Sequence, residues 1–95
     1  MDARQLVSWN LRRLRVACGI SQEALAVDAG IDRTYVSRVE RNMENPTVAV
    51  LERLALALSA EITEFFAPPE PGASEPQVLP KGRKSQRRRV EGGGD

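Results

Sequence analysis

The feature that most constrains the fold is the spacing of two helix-capping residues near the middle of the chain. Ser21 and Asp32 each carry a short side-chain oxygen that can accept hydrogen bonds from the unpaired N–H groups at a helix start. Gly30 lies between them and can take the left-handed conformation that ends a helix. Eleven residues from cap to cap leave room for about two helical turns and one corner. The stretch therefore predicts two short helices joined by a tight turn.

Apolar residues at helical spacing indicate how these two helices pack. Ala26 is small enough to let the helices approach closely where they cross, and Ile31 fills the corner. The pattern is typical of a helix-turn-helix, whose second helix can enter a DNA major groove. The residues predicted to face inward are Leu25, Ala26, Ala29, Ile31, Val36 and Val39.

Residues 7–66 resemble the Cro/phage-repressor (XRE) family of helix-turn-helix DNA-binding domains. The resemblance implies an all-α fold, a compact bundle of about five short helices in which the second and third form the motif. It also implies that two copies bind paired half-sites on DNA. It is carried by Gln22, Ala26, Gly30, Ile31, Val36 and Glu40, and by the run NPTVAVLERLALAL at 45–58.

The sequence divides into a helix-turn-helix DNA-binding domain, residues 1–66, and a tail, residues 67–95. Caps and apolar periodicity predict the helices, with Asp2 before the first and Thr47 before the fourth. Counting its cap, the recognition helix covers 32–41. The predicted helices span 3–18, 22–29, 33–41, 48–58 and 61–66.

The tail differs from the domain in composition. Residues 67–80 contain five prolines, which is typical of a linker, and 81–89 carry six positive charges and no acid. Such a segment cannot bury enough apolar surface to fold alone, so we expect it to be disordered. It could tether the protein to DNA non-specifically, or it could be a solvated tail.

Composition excludes several function classes. Cys18 is the one cysteine and histidine is absent, so an internal disulfide, a multi-cysteine metal site and a histidine-based triad are excluded. No apolar run approaches the length of a membrane span, and the first residues lack a signal-peptide pattern. We expect a cytoplasmic protein that is not an enzyme, with no cofactor, no membrane association and no small-molecule substrate.

Double-stranded DNA is the expected partner, although residues 1–66 carry eight arginines and nine acidic residues. A domain without net positive charge must concentrate its arginines on one face. Helical periodicity turns five residues of the third helix outward. Arginine there can bind guanine through two hydrogen bonds, and Thr or Ser can contact a base edge. The outward residues are Arg33, Thr34, Ser37, Arg38 and Arg41, the last placed to meet phosphate.

Three further residues complete the predicted DNA-binding set. Gln22 follows a helix cap, where the helix dipole favours a phosphate. Tyr35 lies between faces, so it can pack or offer its hydroxyl to phosphate. Asn42 tolerates the left-handed conformation after the helix. Many relatives have basic residues where this chain has Met43 and Glu44, a departure that weakens the predicted grip on phosphate.

The resemblance also implies a structural ion pair between Arg15 and Glu40, linking the first helix to the end of the third. The alternative is that Arg15 is one more solvated arginine. Trp9 stands where the family usually has a polar residue. It could pack under the C-terminal segment or mark a partner surface.

Surplus apolar residues on the last two helices predict a homodimer. Val50, Leu56 and Phe66 exceed what one buried stripe requires, which indicates a subunit interface. The alternative is that Phe66 folds back onto Trp9 and that the protein is monomeric until it meets DNA.

The sequence thus predicts a sequence-specific DNA-binding transcriptional regulator that binds a palindromic operator as a homodimer. Within this interpretation, the stretch RTYVSRVERNMENPT at 33–47 is similar to relatives that control restriction–modification genes. The alternative is a protein-interaction module, the antitoxin half of a toxin–antitoxin pair.

Overall fold

A computed structural model describes residues 1–73, which fold into four α-helices and a short 3-10 helix. This part of the chain contains no strand, as the predicted all-α class requires. The basic segment 81–89 and residues 74–80, which are half of the predicted linker, lie outside the described residues. The elements are α1 (Ala3–Cys18), α2 (Gln22–Ala29), α3 (Arg33–Glu40), α4 (Val48–Leu58) and the 3-10 helix Ile62–Phe66.

Side-chain caps fix where the first helices begin, and left-handed glycines fix where they end. The Asp2 carboxylate accepts a hydrogen bond from the N–H of Gln5, whose side chain accepts one from the Asp2 N–H in return. The Ser21 hydroxyl caps α2 by accepting from the N–H of Ala24. Gly30 ends α2 with φ of 70°, so the predicted tight turn forms as the sequence indicates.

The last part of the domain departs in detail from the helices that the sequence predicts. Arg41 is the C-terminal cap of α3, so that helix ends one residue earlier than expected. Ser59 takes φ of 55° at the end of α4, a conformation that glycine would adopt with less strain. The segment predicted as a fifth helix, 61–66, forms the 3-10 helix, which is common for so short a run. Glu61 and Glu64 close a capping box at its start.

The core lies where α1, α2, α3, α4 and the 3-10 helix meet. The residues predicted to face inward on the helix-turn-helix are buried, except Ile31, which is half-buried. Phe65 is fully buried and brings the 3-10 helix against the rest. The other large side chains that are fully buried are Leu11, Leu25, Leu54, Val36, Val39 and Asn10.

Asn10 is a buried polar residue that ties α1 to the end of the domain. Its Nδ2 donates to the carbonyl oxygens of Phe65 at 3.0 Å and Ala67 at 2.8 Å. Its Oδ1 accepts from Nε of Arg13 at 3.0 Å. These bonds satisfy the polar atoms that burial removes from water. Asn10 therefore fixes the path of the chain as it leaves the 3-10 helix.

Candidate nucleic-acid interface

The exposed face of α3 carries the polar residues predicted to contact DNA. Asp32 starts the helix by accepting from the N–H of Thr34 at 2.9 Å. Val36 and Val39 are buried, so the opposite face is turned outward. On that face Arg33, Thr34 and Arg41 are exposed, and Ser37 and Arg38 are partly exposed.

A buried ion pair fixes the end of this helix. Arg15 Nε lies 2.6 Å from Glu40 Oε2, and Arg15 Nη2 donates to Glu40 Oε1 at 3.1 Å. Only 6% of the Arg15 side chain and 2% of the Glu40 side chain are exposed. The structure therefore brings together the two residues that the resemblance pairs, in the two-bond geometry that favours Arg over Lys.

Neighbouring bonds extend this pair into a cluster that joins three helices. Arg15 Nη1 donates to the carbonyl oxygen of Ile20 at 2.8 Å, and Ser8 Oγ donates to the Glu40 carbonyl oxygen at 2.6 Å. Gln22 Nε2 donates to Glu40 Oε1 at 3.0 Å. The cluster holds α3 against α1 and against the start of α2, so the outward face has a defined orientation.

Gln22 thus has a partner that the sequence did not indicate. The prediction places it at a phosphate, whereas the structure places its amide nitrogen on the Glu40 carboxylate. One amide hydrogen and the carbonyl oxygen are not accounted for by this bond. The phosphate contact of Gln22 stays a prediction.

Arg38 is held by the loop that follows α3. Its Nε donates to Glu44 Oε2 at 2.9 Å, and its Nη2 lies 3.4 Å from the carbonyl oxygen of Met43. Burial, and then the negative charge of Glu44, raise the pKa of the Tyr35 phenol above its usual value of about 10. Glu44 therefore acts on two of the residues predicted to contact DNA.

Asn42 turns the chain at the end of α3 with φ of 60°, the left-handed conformation its sequence position suggested. Its Oδ1 is buried and accepts no hydrogen bond within residues 1–73. Asn42 lines a surface cavity of about 390 Å³, and so does Trp9, which places Trp9 beside the end of α3. The other residues around the cavity are Met1, Gln5, Ser8, Arg12, Glu40 and Arg41.

The predicted dimer residues differ in exposure. Leu56 is 75% exposed and Phe66 is 43% exposed, as an unpartnered apolar surface requires. Val50 is half-buried and packs partly against the core. Val48, which helical spacing predicts on the buried stripe of the fourth helix, is exposed as well, because it lies in the first turn of α4.

Comparison with known proteins connects this geometry to a family. A family model described as helix-turn-helix matches residues 11–65, which is more than half of the chain. This chain belongs to the XRE-type helix-turn-helix family of DNA-binding regulators. The match covers α2 and α3 completely, together with the cluster formed by Arg15, Gln22 and Glu40.

Relatives of this XRE-family chain carry regulatory names. A hypothetical transcription factor of Neisseria meningitidis serogroup B is 42% identical over 69 residues, which cover 73% of this chain and 65% of the relative. The control protein C.SmaI of Serratia marcescens is 39% identical over 66 residues, covering 70% of this chain and 79% of the relative.

Solved structures of similar fold include restriction–modification controller proteins. C.AhdI from Aeromonas hydrophila has a TM-score of 0.65 and 43% identity, covering 66% of this chain and 96% of that chain. The C.Esp1396I tetramer in complex with its natural 35-base-pair operator has a TM-score of 0.64 and 35% identity. That match covers 70% of this chain and 87% of the controller.

Two residues of this XRE-family domain make contacts that the sequence pattern does not predict. Asn10 has no predicted role, although it lies on α1 between Val7 and Leu14, on the buried side. Glu44 departs from the family pattern, but its bond to Arg38 depends on the path of the loop.

Among the described residues, no helix is long and apolar enough to cross a membrane.

Proposed function

We propose that this protein is a transcriptional regulator that binds a palindromic operator as a homodimer, with α3 in the major groove. The observation that carries the proposal is the outward face of α3, held in a fixed orientation by the buried Arg15–Glu40 cluster. A rigid support matters because base contacts require side chains placed to within a fraction of an ångström. C.Esp1396I, a structural relative, forms a tetramer in complex with its operator, which supports operator binding by a domain of this fold.

The residues of α3 take different roles in this proposal. Arg33 and Arg38 contact base edges, whereas Arg41, at the end of the helix, contacts phosphate. Thr34 and Ser37 lie beside the arginines and can contact bases or sugar–phosphate. Tyr35, Gln22 and Asn42 complete the contact surface.

Dimerisation follows from the small size of the domain. One copy contacts few bases, so operator affinity requires two copies whose recognition helices lie about 34 Å apart, one DNA turn. The exposed Leu56 and Phe66 supply a patch that could pair with itself around a two-fold axis. Similarity to C.SmaI and C.AhdI supports a role in controlling restriction–modification genes. The antitoxin alternative rests on the tail and on the exposed apolar patch, and residues 74–95 of the tail lie outside the described residues.

Base recognition by α3 is tested by binding of single variants to a site selected from random duplexes. Arg33→Ala or Arg38→Ala should weaken the selected site by about 1–3 kcal/mol and relax preference at one or two base pairs. Arg41→Ala should weaken specific and non-specific duplexes alike. Unchanged preference in both Arg33→Ala and Arg38→Ala would refute base recognition by this helix.

The dimer is tested by sedimentation at micromolar concentration. The wild type should be a dimer, and the double variant Leu56→Glu/Phe66→Glu should be a folded monomer with much weaker operator binding. Replacing exposed Val27 on α2 by Glu gives a matched control, since it adds a charge at an exposed apolar position outside the proposed interface. A monomeric wild type, or a double variant that still dimerises, would place the interface elsewhere.

A further inference from the structure

The Arg38–Glu44 pair joins a residue proposed to contact bases with an acidic residue that DNA itself should repel. Their side chains are 40% and 32% exposed, so the pair faces solvent. Exposed pairs of this kind contribute little to folding. Stability therefore does not explain why a carboxylate stands at the edge of a surface that approaches phosphates.

The backbone after α3 puts Glu44 in this place. The N–H of Met43 donates to the Arg38 carbonyl oxygen at 2.8 Å, and the N–H of Asn42 donates to the Val39 carbonyl oxygen at 3.0 Å. The left-handed conformation of Asn42 turns the chain so that the next residues return along α3. These main-chain bonds place Met43 against the end of α3, and Glu44 follows directly, within reach of Arg38.

The contact leaves the binding end of Arg38 available. Glu44 accepts from Nε, so Nη1 and the second hydrogen of Nη2 can still donate. These two nitrogens form the edge of the guanidinium that can bind guanine O6 and N7 together. A free arginine side chain would lose much rotamer freedom on binding, and the bond to Glu44 removes part of that loss in advance.

The charge of Glu44 has a second effect on the same surface. In a non-specific complex, an arginine of the recognition helix can turn to a phosphate, which is the main source of sequence-independent affinity. Glu44 competes for Arg38 and repels that phosphate. One turn earlier on α3, burial and then the negative charge of Glu44 raise the pKa of the Tyr35 phenol.

We propose that Glu44 is a specificity-determining residue that positions Arg38 for base recognition and weakens non-specific binding to the DNA backbone. This inference rests on the proposed function, because it presupposes that Arg38 contacts a base. It explains why an acidic residue can occupy a loop that borders the DNA surface.

The experiment compares Glu44→Ala and Glu44→Gln with the wild type, each with and without Arg38→Ala. Dissociation constants are measured for the selected site, for that site changed at the base pairs that depend on Arg38, and for an unrelated duplex. Glu52→Gln is the matched control, since Glu52 is an exposed glutamate on α4. Thermal melts followed by circular dichroism establish that each variant is folded.

Glu44→Ala should lower discrimination between the selected and the changed site by about ten-fold, within the range that one arginine–guanine contact provides. It should also tighten binding to the unrelated duplex several-fold. Glu44→Gln keeps a hydrogen-bond acceptor without the charge, so it should tighten non-specific binding and lose less discrimination. With Arg38→Ala present, neither variant should change discrimination further.

Three results would overturn the inference, and they separate it from the proposed function. If Arg38→Ala lowers discrimination and Glu44→Ala does not, the role of Glu44 is refuted and the proposed function stands. An equal loss with and without Arg38→Ala would show that Glu44 acts on another residue. Failure of the wild type to select any site would refute the proposed function and this inference together.

Discussion

Two arginine–glutamate pairs anchor opposite sides of α3, and they differ mainly in burial. The side chains of Arg15 and Glu40 are 6% and 2% exposed, and the pair makes two direct hydrogen bonds. The side chains of Arg38 and Glu44 are 40% and 32% exposed, and one bond of 2.9 Å joins them. The same two side-chain types thus occur once inside the domain and once at its surface.

The difference in burial assigns the pairs different consequences. A buried charge that loses its partner remains desolvated. Breaking the inner pair should therefore reduce the free energy of unfolding, and the variant that remains folded should keep its base preference. The outer pair is partly screened by water, so breaking it should alter binding while the fold is retained. The inner pair therefore holds α3 in place, whereas the outer pair contains a residue that we propose contacts DNA.

The largest effect is expected from breaking the inner pair. Glu40→Gln or Arg15→Met leaves one buried charge without its partner, and each should reduce the free energy of unfolding by up to about 3–5 kcal/mol. The double variant removes both charges and should recover part of either loss. Urea unfolding of the four proteins gives the coupling energy, and additive losses would contradict a buried, coupled pair.

Variants of Asn10 test whether leaving an uncharged buried group unpaired reduces stability as much as leaving a buried charge unpaired. Asn10→Ala removes the donor to the Phe65 and Ala67 carbonyl oxygens and should reduce stability by about 1–3 kcal/mol, the cost of leaving a buried acceptor unpaired. Urea unfolding measures the loss. Asn10→Asp is a sharper variant, because it also places a charge beside those two carbonyls. Stability equal to the wild type in both variants would show that water replaces the Asn10 donor.

The outer pair should couple weakly in folding. Arg38→Ala, Glu44→Ala and their combination should show a coupling energy below about 1 kcal/mol in the same unfolding experiment. High salt should reduce it further, because exposed charges are screened. A coupling as large as that of the inner pair would remove the contrast on which the assignment of roles rests.

The smallest expected effect is the titration of Tyr35, the one tyrosine in the chain. Its folded-state pKa is raised, so the native state holds the phenol proton more tightly than the unfolded chain. That contribution to stability is present below pH 10 and is lost as the pH rises through the folded-state pKa. Glu44→Gln should move the pKa part of the way back, as ultraviolet absorbance would show. An unchanged pKa of Tyr35 in this variant would show that Glu44 lies too far from Tyr35 to affect its titration.

The sequence was sufficient for the parts of the fold that local chemistry controls. The caps Ser21 and Asp32 and the turn at Gly30 predicted α2 and the start of α3 correctly, because these features depend on neighbouring residues. The 3-10 helix was not predicted as such. Its geometry depends on Phe65 in the core and on the Asn10 bonds, which join residues far apart in the chain.

The site was predicted less completely than the fold for the same physical reason. Helical periodicity identified the outward residues of α3, among them Arg33 and Arg38. The bonds of Glu44 to Arg38 and of Gln22 to Glu40 could not be identified in this way, because Glu44 and Gln22 meet α3 only after the chain has turned. Periodicity places a residue on a face, whereas a bond between elements requires the path of the loop.

The most direct test of these two roles is selection of binding sites from random duplexes by the wild type, Glu40→Gln and Glu44→Gln, below the melting temperature of each protein. We expect the wild type to enrich an inverted repeat with half-sites about one DNA turn apart. Glu40→Gln should melt earlier and enrich the same repeat, while Glu44→Gln should melt normally and enrich a repeat with relaxed positions. Relaxed selection by Glu40→Gln with unchanged selection by Glu44→Gln would contradict the roles assigned to the two pairs. Absence of any repeat with the wild type would contradict base recognition by α3.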